Sequence, residues 1–177
     1  MRPFRPADYG PILAPLVSGD RNRALDRGSP AVDLHGALSL ATLEAVFAQC
    51  PLADREMGAC VLAGLWLVHD LLDESHAVSQ TVDTPTGAFW HGIMHRREGD
   101  YANAKYWFRR AGRHEVLAAL PARVPELKAA FDPLTFVDAC QGALQTQGEA
   151  QSLCRRVQQA EWELLFDYSY RRAVGER

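Results

Sequence analysis

Residues 86–116 read TGAFWHGIMHRREGDYANAKYWFRRAGRHEV, and the punctuation inside this stretch decides the fold. Gly99-Asp100 interrupts it: glycine can adopt the left-handed conformation that ends a helix, and aspartate can cap the next one. Residues 101–110 then read as a second helix folding back on the first. In the first helix, Gly92 is the small residue that lets a partner approach closely. In the second, Ala104, Phe108 and Ala111 recur at spacings of four and three, an apolar stripe of helical period. His91 and His95 are four apart, so a helix stacks them on one face about a turn from each other, and Glu98 extends that stripe.

The order of Gly92, Gly99-Asp100-Tyr101, Ala104, Phe108 and Ala111 resembles one tetratricopeptide repeat over residues 85–118. That pattern has a small residue early in helix A, Gly-Asp-Tyr at the turn, and Ala, Phe and Ala in helix B. Two positions depart from it: His95 stands where the family usually has Tyr, and Val116 where the repeat normally ends in Pro. The resemblance implies antiparallel hairpin packing and, in the manner of the family, a groove for a peptide or partner subunit. The phrase also resembles one recurring in an uncharacterised protein family, a likeness that implies no activity. A fainter echo lies upstream, where LDESHA (72–77) pairs with GDYANA (99–104) but shares only Asp73 and Ala77. Because solenoids need three or more repeats at a fixed period, the expectation is a single all-α domain of antiparallel hairpins, not an array.

Composition agrees with that class. A chain of 177 residues, 47% hydrophobic and 23% charged, can bury a core without disulfide staples. The net charge of −3 argues against a dedicated nucleic-acid binder, which is usually strongly basic. Cys50, Cys60, Cys140 and Cys154 lack metal-finger spacing and read as buried small hydrophobes in a reducing compartment. No run approaches the roughly 20 apolar residues that span a bilayer, and MRPFRPADYGPILAPL has no continuous apolar segment to serve as a signal peptide. The expected location is cytoplasmic.

Residues 1–37, rich in Pro, Gly, Asp and Arg, read as an extended arm laid across the body through Phe4, Tyr9, Ile12, Leu13 and Leu16. Residues 38–177 read as the helical domain. A helix opens at Ser39 or Thr42 and stops before Pro51, and Asp54 caps another with Met57, Val61, Leu65, Val68 and Leu72 on its buried side. Further helices are expected over 115–120, ended by Pro121, over 125–131, over 133–147 after the Asp132-Pro133 start, and over 149–172.

The chemistry gathers in residues 69–110, where four of the six histidines fall within 27 positions. His91 and His95 with His76, plus Asp73 or Glu98 as carboxylate, suit zinc, iron, manganese or nickel. His69 beside Asp70, or His76 near Glu74, suits general base chemistry without a metal. Arg96, Arg97, Lys105, Arg109 and Arg110 could clamp an anionic small molecule, with Trp90, Trp107 and Tyr106 lining an apolar pocket and Asn103 adding a polar contact. Glu163 and Asp167, four apart on the last helix, could close a carboxylate wall. The plain alternative is a polar seam in which the histidines hydrogen-bond carbonyls and carboxylates. Two functional classes follow: a small-molecule binding or catalytic domain, or an interaction module with a groove using Asn103, Lys105 and Arg109. A homodimer through the arm or the last helix fits both.

Overall fold

The computed structural model describes residues 3–127, 131–146 and 148–176. Every regular element among them is helical. The arm expected as extended over 1–37 is partly helical, with a short turn at Pro6–Tyr9 and α1 (Gly10–Val17), because Pro11 falls in the first turn where its missing N–H costs nothing; α2 (His35–Ser39) and α3 (Leu43–Val46) follow. Two hairpins follow: α4 (Arg55–Val68) with α5 (Leu72–Ser79), and α6 (Pro85–Glu98) with α7 (Tyr101–Ala111). The chain closes with α8 (Glu115–Arg123), α9 (Pro133–Thr146) and the 25-residue α10 (Glu149–Ala173). The hairpins pack through α4–α6 and α5–α6, α9 lies on α7, and α10 runs across α4, α8 and α9.

Local chemistry sets the helix ends. Thr42, Asp54, Thr84 and Asp100 each accept a hydrogen bond from a backbone N–H of the first turn they cap. Gly99 sits at φ 91°, the left-handed geometry that reverses the chain between α6 and α7. The close approaches depend on small residues. A Cβ on Gly92 would stand 3.2 Å from the Phe108 ring of α7, and one on Gly64 would come within 2.7 Å of the Trp90 indole. Trp90 lies fully buried over that gap, its indole donating to Ser169 Oγ, while Trp162 of α10 donates to the Gly64 carbonyl.

Pro121 does not end its helix. α8 continues to Arg123, because a proline so near the C-terminus removes one donor and disturbs only the final turn. Residues 125–127 form a tight turn (Pro125–Leu127), and residues 128–130 of the expected 125–131 helix lie outside the described residues, as does Gln147. In the arm, Tyr9, Leu13, Val17 and Leu25 are buried, whereas Ile12 stays exposed. Tyr9 donates to Asp167 of α10, and the Arg21 guanidinium meets Glu163, so the two expected wall carboxylates fasten the arm to the last helix. None of the described helices is long and apolar enough to cross a membrane.

Candidate metal centre

The α5–α6–α7 seam brings three histidines together. Ser75 donates to the Ala63 carbonyl, which fixes α5 on α4 and turns His76 towards α6. The His91 and His95 rings lie 4.6 Å apart and nearly parallel, one turn from each other on α6. His76 meets them edge-on at 4.8 and 5.3 Å, and Trp107 of α7 stacks on His91 at 4.0 Å. One ring nitrogen from each histidine lies within 4.8 Å of the others. Tetrahedral coordination with metal–nitrogen bonds near 2.0–2.1 Å would need those nitrogens about 3.3 Å apart, a closure of roughly 1.5 Å by terminal side-chain rotation.

Protonation suits such a centre. Burial first, and then the neighbouring His95 and His76, push the His91 pKa down to about 3. The ring is therefore neutral at neutral pH, the form a metal ligand requires. Its Nδ1 is buried without a hydrogen-bond partner among the described residues, an arrangement that costs about 1–3 kcal/mol when nothing is bound to it. Around His95, Glu98 Oε1 lies 3.0 Å from Nδ1 and the Asn103 amide 3.0 Å from Nε2. A carboxylate oxygen accepts, so His95 donates from Nδ1 to Glu98, whereas the Asn103 amide nitrogen also lies 3.5 Å from Nδ1 and so sits over the ring rather than along the Nε2 lone pair. A carboxylate holding the far ring nitrogen of a metal-binding histidine is the usual way such ligands are oriented.

The other residues singled out in the sequence lie in different surroundings. Asp73 is 83% exposed and faces Arg27 rather than the histidines; Arg27 also approaches Glu98. His69 donates from Nε2 to the Leu16 carbonyl, and burial lowers its pKa. Asp70 adopts φ 60° and is buried beneath Gly28, accepting from Ser29 N and pairing with Arg97 at 2.6 Å. Arg97 also donates to the carbonyls of Asp26 and Leu67. His69 and Asp70 thus bracket the arm to α4 and α6, apart from His76. Trp90 is core, and Arg96 is wholly buried against Glu161 of α10, where no ligand reaches it. Lys105 pairs with Asp138 of α9, and Arg109 lies exposed beside a cavity between α7, α8 and α9. That cavity had no sequence signal of its own: its walls come from three segments, and nothing in their spacing couples them.

Comparison with protein-family models, with curated proteins and with solved structures finds no match to this chain.

Proposed function

We propose that this chain is a metal-dependent small-molecule-binding domain whose centre is the His76–His91–His95 cluster. The observation that carries this reading is the convergence of three imidazoles from two helices, one of them buried, neutral and unpartnered at Nδ1 among the described residues. Three imidazoles would leave a tetrahedral divalent ion one position for water or an anionic ligand, where the ion would supply Lewis acidity. Glu98 orients His95, and Trp107 covers the His91 face and limits water there. The alternative reading, a peptide groove using Asn103, Lys105 and Arg109, has less support because these side chains engage three different surroundings.

The test is elemental analysis of untagged protein, followed by titration of the chelator-treated protein with cobalt(II). Near-stoichiometric metal and a tetrahedral cobalt spectrum are expected, both lost in His91→Ala and His95→Ala variants that keep their helical circular dichroism. Failure of the folded wild-type chain to take up zinc, cobalt or nickel would refute the reading.

A further inference from the structure

On the face of α7 turned away from Asn103 and Trp107, a cavity of about 580 Å³ opens between α7, α8 and the start of α9. Its volume lies within the range of pockets that enclose small organic ligands. Phe108, Leu117 and Phe131 supply an apolar wall, and Arg109 and Arg113 stand among the lining residues. Neither guanidinium has an ion-pair or hydrogen-bond partner among the described residues, in contrast to Arg96, Arg97, Arg110 and Arg156, which all do. The carboxylate in the lining, Asp132, is already committed. It caps α9 by accepting from the backbone N–H groups of Leu134 and Thr135 and from the Thr135 hydroxyl. The cavity therefore combines apolar surface with two guanidinium groups that have no ion-pair or hydrogen-bond partner among the described residues, against the one carboxylate of Asp132.

We infer that this cavity binds a small monocarboxylate with an apolar or aromatic body, the body against Phe108, Leu117 and Phe131 and the carboxylate between Arg109 and Arg113. Inorganic phosphate has the charge without the apolar body, and a neutral alcohol of the same shape has the body without the charge. Each would forfeit half of the recognition. The site lies across α7 from the histidine cluster and stands whether or not that cluster holds a metal.

The test is isothermal titration of the chelator-treated full chain with 3-phenylpropanoate, decanoate, their matching alcohols and inorganic phosphate. At least one carboxylate is expected to bind at least tenfold more tightly than its alcohol and than phosphate. An Arg109→Gln, Arg113→Gln double variant should lose at least tenfold of that affinity. Leu117→Trp, which fills the cavity from an only partly buried position, should abolish binding at an unchanged melting temperature. Equal affinity for acid and alcohol, phosphate binding as tight as the acids, indifference to the arginine substitutions, or no binding by either acid would each overturn the inference.

Discussion

Glu161→Gln is the substitution whose cost follows most directly from the architecture. Arg96 and Glu161 are both 0% exposed, joined by two hydrogen bonds between α6 and α10. The Arg96 guanidinium lies over the Phe136 ring at 4.6 Å, and its Nε already lacks a partner among the described residues. Its own desolvation opposes the charge, and Glu161 is the group that offsets this. Neutralising Glu161 leaves a buried cation without a counter-ion, which costs about 3–5 kcal/mol. That is a large share of the 5–15 kcal/mol that usually separates folded from unfolded chains. With a urea slope of about 2 kcal/mol per molar, the midpoint should fall by roughly 1.5–2.5 M. The assay is equilibrium urea unfolding followed together by circular dichroism and tryptophan fluorescence. The paired replacement Arg96→Met with Glu161→Leu should recover most of the loss, since it removes both desolvation costs. A midpoint shift below about 0.5 M for Glu161→Gln would refute the argument, for it would mean the Arg96 charge finds solvent or another partner.

Stability should depend on pH in a definite direction. His91 titrates at about 3 and His114 at about 4 in the fold, both depressed chiefly by burial and both below the unfolded value near 6.5. Across that window the unfolded chain binds more protons, so the stability these rings contribute is complete above about pH 6.5 and is lost as pH falls towards their folded values. Melting temperatures measured between about pH 4.5 and 7.5 should rise and then level, and a flat profile would contradict the buried neutral rings. Gly92→Leu should destabilise the α6–α7 hairpin by about 1–3 kcal/mol through overpacking against Phe108, and unchanged chemical denaturation would show that the two helices are not locked there.

Much of the secondary structure was legible because its causes are local. Thr42, Asp54, Asp100 and Gly99 act within a turn of themselves, and the stripe of Ala104, Phe108 and Ala111 needs only helical geometry to share a face. Pro121 differs from its local expectation for the same reason: a proline is a breaker in a helix interior, and its position two residues before the end of α8 makes it tolerable. The pairing of His91 with His95 was legible too, since one helix fixes it.

The sequence by itself determined the all-α class, several helix boundaries and the presence of an imidazole pair on one face of α6, because each depends on contacts within a few residues. The tertiary structure alone decided which polar side chains are available. It brought His76 to the pair and directed Asp73 outward to Arg27. It also sealed Arg96 against Glu161, 65 positions away, and left Arg109 beside a cavity built from three segments. Charge and residue type do not encode these outcomes, since desolvation and counter-ion pairing depend on which surfaces long-range packing brings together.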